Sequence, residues 1–336
     1  MSARRRAAVV VLAVPLLLSA CGGDSSAESS PDLAKVTYLT SFNTFGRDAY
    51  AYVAAEKGFF EEAGFDVEIK PGTGSGDVMK LIAGGQADYG VADFSAVAVA
   101  LANQDLPLTS VGMIHQQSLA ALVTLEGTGI SEPADLAGKT IADQAGSTVT
   151  VLFPAYAKAA GFDGSGVKFV PSAPPSLPQL LASGKVDAVG QFVVGKGLIE
   201  AAAKDREAVF LPYSDVLPDL YGNTLLTTTE TAESNPEQVQ KFSAALLKGL
   251  QYSIENPDET GEILAAAQPT QDAAVAAGEV KLMAPYVTGE DGAAIGAIDE
   301  ARVQGVIDEL TKGGAITKDV TPADLVSFDL TPPAEP

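Results

Sequence analysis

Fourteen residues of this sequence have the type and position for non-covalent recognition of a small molecule. Phe42, Asn43, Phe45 and Arg47 share one short loop, Thr40–Asp48. Gly74 and Ser75 stand in a glycine-rich turn, Gly72–Asp77, and Ser147 and Thr148 stand in another just after Gly146. Asp93 with Phe94, and Gln191 with Phe192, follow the ends of expected strands, while Tyr221 and Asn223 lie where the chain is expected to cross back between two halves. Rings of this kind stack on a flat solute, amides read its edge, and free N–H groups at a helix start accept an anion or a carbonyl oxygen. Arg47 is the only cation in the set.

Plainer uses stand beside these. One of Phe42 and Phe45 can plug the core, and Arg47 pairs either an anionic ligand or its neighbour Asp48. The Gly72–Asp77 turn is either an acceptor site or a turn with Asp77 as helix cap. It is not a P-loop, because no Gly-Lys-Ser/Thr follows it, and it only approximates Gly-x-Gly-x-x-Gly. A dinucleotide reading with Asp93 on a ribose fits poorly with the export signal described below. Asp88 and Asp187, each between a helix-ending glycine and a strand, read as structural turn acids. Glu61 and Glu62 read as a solvated helix face, and His115 as a packed or surface residue.

Composition narrows the chemistry further. The chain holds one His, one Cys and no Trp, which argues against His/Cys zinc sites and against a Ser-His-Asp triad unless His115 serves it. No metal or cofactor is expected. With 21 Lys+Arg against 43 Asp+Glu, the formal net charge is −22, a balance that argues against nucleic acid.

The one cysteine, Cys21, ends the run Leu18-Ser19-Ala20-Cys21, behind an apolar stretch from Ala7 and the basic cluster Arg4-Arg5-Arg6. That order is the layout of a secretory signal, and its end resembles the bacterial lipobox, in which the cysteine takes a diacylglycerol. Residues 1–20 are therefore expected to be a lipoprotein signal peptide, Cys21 the lipidation site, and 21–35, small and polar, a flexible tether. The working part is expected to sit on the extracytoplasmic face of the cell membrane, held by lipid.

The elements that must position the fourteen residues alternate. Val36–Leu39 reads as a strand, Ala49–Lys57 as a helix, Asp66–Ile69 as a strand, Val78–Ala83 as a helix and Tyr89–Val91 as a strand, the order of a mostly parallel sheet covered by helices. The pattern then repeats. Ala63-Gly64-Phe65-Asp66 returns as Ala160-Gly161-Phe162-Asp163, Val67–Lys70 as Val167–Val170, Pro71 as Pro171, and Gly85-Gln86-Ala87-Asp88 as Gly184-Lys185-Val186-Asp187, at offsets of 97 to 100 residues. Two α/β lobes of similar build follow, with Asp93 equivalent to Phe192 and Ala92 to Gln191. Ligands of open α/β sheets bind beyond the carboxyl ends of the strands, so two such ends facing each other make one interlobe cleft. Strands are expected at Val209–Pro212 and Thr224–Thr228. Helices are expected at Pro236–Glu255, Thr260–Ala267, Gln271–Met283 and Asp299–Lys312, returning to pad the first lobe. The expected division is 36–116 plus 215–330 for lobe 1, 117–214 for lobe 2, and 331–336 as a tail.

The run Ala51–Val67 (Ala-Tyr-Val-Ala-Ala-Glu-Lys-Gly-Phe-Phe-Glu-Glu-Ala-Gly-Phe-Asp-Val) resembles the opening of ABC-transporter solute-binding proteins related to binders of nitrate, taurine, alkanesulfonates and thiamine pyrimidine precursors. Leu81–Val91, Pro133–Ile141 and Asn235-Pro236-Glu237 before Phe242 carry the same resemblance, which covers about residues 36–310. It implies a two-lobe, hinged, type II periplasmic-binding-protein fold, and the partners such a protein has: a small-molecule solute, an ABC permease and its ATPase. A monomer is expected. In relatives the loop equivalent to Thr40–Asp48 lines the cleft.

The aromatic residues placed at the cleft suit a flat, largely uncharged heterocycle, a thiamine pyrimidine precursor first. A flavin-like solute comes next, and sulfonate, taurine or nitrate after that. An enzyme is the competing class, since the superfamily includes a thiamine-pyrimidine synthase. That enzyme depends on histidine and a cysteine-rich motif, which one His and a lipidated Cys do not supply. A surface sensor on the same fold is the third reading.

Overall fold

The computed structural model describes residues 33–204, 206–288 and 294–332. The expected signal, Cys21, the tether up to residue 32 and the last four residues of the expected tail lie outside them. The first strand starts at Ala34, inside the segment expected as tether, because its N–H meets the Gly64 carbonyl at 2.9 Å.

The strands among the described residues are β1 (Ala34–Leu39), β2 (Phe42–Asn43), β3 (Phe65–Lys70), β4 (Gly72–Thr73), β5 (Tyr89–Asp93), β6 (Leu108–Met113), β7 (Ala120–Leu125), β8 (Thr140–Asp143), β9 (Lys168–Pro171), β10 (Ala188–Phe192), β11 (Ala208–Pro212) and β12 (Asn223–Thr228). They form two five-stranded sheets, β3-β1-β5-β12-β6 and β9-β8-β10-β7-β11, and the small pair β2-β4. In the first sheet β1 runs parallel to β3 and β5, and β12 antiparallel to β5 and β6. In the second, β8 runs parallel to β9 and β10, and β7 antiparallel to β10 and β11. The sheets match strand for strand. The fourth strand of each order is exchanged: β7 follows β6 directly, and β12 enters the first sheet only after the second is complete. The chain thus crosses between sheets twice.

The repeat read from sequence is visible in detail. Asp88 Oδ2 accepts from Thr37 N at 2.7 Å, and Asp187 Oδ2 accepts from Thr140 N at 2.7 Å. Each acid closes the turn from a helix-ending glycine into the next strand, as its position suggests. β5, β6 and β7 read as apolar or small runs because both faces are covered: every residue in β6 and β7 is buried.

The helix Pro236–Glu255 opens on a proline, which has no N–H to leave unpaired in the first turn. It buries Val239, Phe242, Leu246 and Leu250 at helical spacing. Phe242 stacks on Tyr89 at 4.0 Å and on Phe60 at 5.2 Å, fastening the helix to the first sheet. The later helices do more than pad that sheet. Ala273–Thr288 packs on the 3₁₀ turn at Gly46–Asp48 and also on the turn at Val193–Gly195 after β10. Glu300–Lys312 packs on both Phe94–Asn103 and Thr148–Ala159, burying Val303, Val306 and Leu310. Their apolar faces therefore touch elements of both sheets. No helix among the described residues is long and apolar enough to cross a membrane.

Candidate functional site

Loop Thr40–Asp48 is held by the turn that follows β3. Phe42 pairs with Thr73 and Asn43 with Gly72 in the β2-β4 ladder, and Gly74 N donates to Ser41 O at 3.0 Å. A Cβ on Gly72 would stand 2.0 Å from the Thr40 carbonyl, so only glycine allows this approach. Asn43 is exposed and takes φ of 50°, a conformation asparagine tolerates; its placement serves the turn. Beyond it, Gly46 N donates to Glu279 Oε2 at 2.6 Å.

This loop delivers Arg47 to the junction of the two sheets. The guanidinium, only 5% exposed, lies over two rings, 5.4 Å from the Phe45 centroid and 4.6 Å from the Phe192 centroid. Phe45 belongs to the first sheet's loop, and Phe192 ends β10 of the second. Nη2 donates to Phe42 O at 3.3 Å, and Asp48 Oδ2 lies 3.5 Å from Nε. Burial raises the Asp48 carboxyl above its ordinary range, opposed by Arg47. Burial also pushes Glu279 up to about 7, against the Gly46 N–H and Arg47. One planar cation thus stands beside the buried Asp48 and near the half-buried Glu279, in reach of a ring from each sheet.

Asp93 ends β5 and caps the helix Phe94–Asn103, its Oδ1 accepting from Ser95 N at 3.0 Å and Ala96 N at 3.2 Å. Desolvation nevertheless pushes it up to about 7, against these bonds and a hydrogen bond from Thr148. That contact joins the first sheet's strand end to the helix start of the second. Ser75 Oγ accepts from Asp93 N at 3.1 Å, so the hydroxyl at the Gly74-Ser75 turn is tied to the same strand end. Ser147 caps its helix through Thr150 N at 3.1 Å and donates to Asp143 Oδ2. Gln191 Oε1 folds back onto Phe192 N at 2.9 Å.

Phe94 and Tyr221 do not join this group. Both are buried, and they meet edge-to-face at 5.6 Å in the core. Tyr221 OH accepts from Asp299 N at 3.0 Å, and Arg302 covers its ring at 3.9 Å. Their rings are engaged in packing, which corrects the expectation that they line the cleft. Asn223 contributes its backbone to the crossing: its carbonyl accepts from Ile114 N at 2.8 Å.

Sequence reasoning missed Glu279 and Asp48 here, while His115, expected to be packed or on the surface, is packed. Glu279 is 233 positions from Gly46 on a helix that looked like padding. From sequence Asp48 reads only as a partner for Arg47. His115 is 1% exposed and sits in the first crossing, where Nδ1 accepts from Asn223 N at 3.2 Å.

Two surface concavities lie elsewhere. One, of about 210 Å³, is lined by residues including Ala159, Leu217 and Glu309, and the other by residues including Phe65, Pro236 and Lys241. Neither is lined by Arg47, Asp93 or Phe192. No group of three or more His, Cys, Asp or Glu among the described residues is placed to hold a metal ion.

Comparison with known proteins agrees with this architecture. The formylaminopyrimidine-binding protein of Halalkalibacterium halodurans is 25% identical over 257 residues, 76% of this chain and 77% of that protein. The 4-amino-5-hydroxymethyl-2-methylpyrimidine phosphate synthase of Legionella pneumophila is 26% identical over 247 residues, 70% of this chain and 74% of that one. Among solved structures, the periplasmic aliphatic sulphonate-binding protein of Escherichia coli superposes with a TM-score of 0.71 at 17% identity, covering 91% of this chain and 94% of that chain. That likeness shows the periplasmic-binding-protein fold. The family model described as NMT1/THI5 like matches residues 48–260 of the 336, and the chain belongs to that family.

Proposed function

We propose that this protein is the extracytoplasmic solute-binding component of an ABC importer and that its solute is a small aminopyrimidine of the thiamine-precursor kind. The observation that carries the solute class is the Arg47 guanidinium over the rings of Phe45 and Phe192. A ring from each sheet lies on this guanidinium, Asp48 is buried beside it, and Glu279 is half-buried against the same loop. An aminopyrimidine is flat, and its amino group and ring nitrogens match the Glu279 carboxyl, which burial pushes up to about 7. The name of the formylaminopyrimidine-binding relative points the same way. A sulfonate or nitrate suits the site less, because its one arginine already faces Asp48 at 3.5 Å and the surrounding acids repel anions.

In this reading the lobes, 36–116 with 215–330 and 117–214, close about the two crossings, and closure is favoured because the solute binds the closed form better. Lipid on Cys21 and the tether keep the protein near its permease, raising its effective concentration there. The permease and its ATPase take the solute inward. Binding without catalysis is favoured over the synthase activity of the Legionella relative, because the chain's one histidine is engaged at the crossing and its one cysteine is Cys21. Phe42, Phe45, Arg47, Asp93, Thr148, Gln191 and Phe192 are the proposed contacts.

Thermal shift and calorimetry with the purified chain test this. Formylaminopyrimidine and 4-amino-5-hydroxymethyl-2-methylpyrimidine should raise Tm by mass action, and taurine and nitrate should not. A shift with taurine or nitrate and none with either pyrimidine overturns the assignment.

A further inference from the structure

One helix packs on both sides of the Arg47–Phe192 contact. Gly46, the residue before Arg47, and Val193, the residue after Phe192, belong to turns that both lie on the helix Ala273–Thr288. Arg47 and Phe192 come from different sheets, so this helix is an element that the two halves of the contact share.

On the Arg47 side the fit is close. Gly46 N donates to Glu279 Oε2 at 2.6 Å, short enough to be a charge-assisted bond. A Cβ on Gly46 would stand 2.3 Å from the Ala276 carbonyl oxygen, so the turn lies directly against the helix backbone. Ala276 and Glu279 stand at i and i+3 and share a helix face. Gly46 is thus held at its amide and at its α-carbon. Arg47 follows at once, and its guanidinium reaches over the Phe192 ring, 4.6 Å away, only with that backbone in place. The far end of the helix is tied separately: Tyr286 O accepts from Gln117 N of the outward crossing at 3.1 Å. The Glu279 side chain takes no part in the helix's own ladder, and alanine is the better helix former, so removing the carboxyl frees the loop and leaves the helix.

We propose that Glu279 is a positioning residue of the solute site: by holding the Gly46 amide it sets Arg47 on Phe192 where the two sheets meet. This rests on the proposed site and gives Glu279 Oε2 a role that does not depend on which solute binds.

NMR of the unliganded chain tests it. Protons over the face of an aromatic ring are shifted upfield, so the Arg47 side-chain protons report their place on Phe192. Phe192→Ala identifies that shift by removing it. Glu279→Ala should lose most of it, while the methyl signals of Val239 and Leu246, buried on the helix Pro236–Glu255, stay in place. Glu279→Gln keeps an oxygen acceptor for Gly46 and should retain the shift. Affinity for 4-amino-5-hydroxymethyl-2-methylpyrimidine, measured by calorimetry, should fall about tenfold in Glu279→Ala, the scale of one charge-assisted hydrogen bond, and less in Glu279→Gln. A shift that survives in Glu279→Ala overturns the positioning role. So does Glu279→Gln behaving as Glu279→Ala, or movement of the Val239 and Leu246 signals along with Arg47. Unchanged affinity in a Glu279→Ala chain that has lost the shift overturns its part in binding. If the wild-type chain binds no pyrimidine, the solute reading falls and the Arg47 shift still decides the role of Glu279.

Discussion

The Arg47 guanidinium lies 4.6 Å from the centroid of Phe192, and this contact joins a loop of the first sheet to the last residue of a strand in the second. A planar cation on a ring is worth ~0.5–2 kcal/mol depending on desolvation, so the pair helps hold the two sheets together. Phe192→Ala removes the ring and some packing on the core, against which Phe192 is half-buried. Affinity for an aminopyrimidine should fall about tenfold or more, with a loss of about 1–2 kcal/mol in stability of the unliganded chain. Unchanged affinity by calorimetry would take Phe192 out of the site.

Asp93 gives the protein a pH dependence whose sign is fixed. Its folded-state value of about 7 is above the ordinary 3.8 because burial penalises the charge. The protonated carboxyl is therefore favoured in the folded state. Its contribution is fully present below about pH 4 and is lost as pH rises through 7. Glu279, also pushed up to about 7, acts with the same sign. Asp93→Asn keeps an oxygen for the Ser95 and Ala96 amides and removes the titration. Urea denaturation should show the wild-type chain losing stability between pH 5 and pH 8, and Asp93→Asn losing less by roughly 2–4 kcal/mol. Equal losses in the two proteins would show that Asp93 does not titrate in this range.

Much of this architecture was legible because the chain states it twice. Asp88 and Asp187 could be read as turn acids from the glycine before and the strand after, and the ladders put both on the same amide, Thr37 N and Thr140 N. The same repeat aligned Asp93 with Phe192 at matching strand ends. It could not say which rings face inward. Phe94 follows a strand end as Phe192 does, but it starts a helix whose buried face turns it onto Tyr221. Glu279 was invisible because a lone acid on a long helix carries no sign of the distant amide it will meet. The bridging role of the last helices was hidden likewise, since periodicity reveals an apolar face but not what will cover it.

Gly222 sets how closely the two crossings approach. A Cβ there would stand 2.7 Å from His115 Cβ and 2.8 Å from the Gln117 carbonyl. Gly222→Ala must part the segments, and overpacking of this kind costs about 1–3 kcal/mol. Gly278 is the control: it lies in the helix Ala273–Thr288 with open space around its Cβ direction, so Gly278→Ala should stabilise by ~0.5–1 kcal/mol. Thermal denaturation of both variants checks the pair. A neutral Gly222→Ala would mean the crossings have slack.

Arg302 ties both crossings to the last long helix. Nε donates to Asp219 O at 2.9 Å, and Nη2 donates to Pro218 O at 3.2 Å and to Gln116 O. Gln116 lies on the outward crossing and Pro218 and Asp219 on the return, so one planar fork spans the two. Gln116 Nε2 reaches back to Ala297 O at 2.9 Å, and the Arg302 guanidinium covers Tyr221, adding a stacking contact that lysine would not reproduce. Arg302→Lys should therefore behave more like Arg302→Ala than like the wild-type chain. Both should lower stability by about 1–3 kcal/mol. The selective readout is amide hydrogen exchange at Ile114 and Ser118, whose N–H groups bond the return crossing at Asn223 O and Leu220 O. Exchange there should quicken by about tenfold or more, while amides in the middle of the helix Pro236–Glu255 keep their protection. Uniform quickening across both regions would mean that Arg302 supports the whole fold and has no special hold on the crossings.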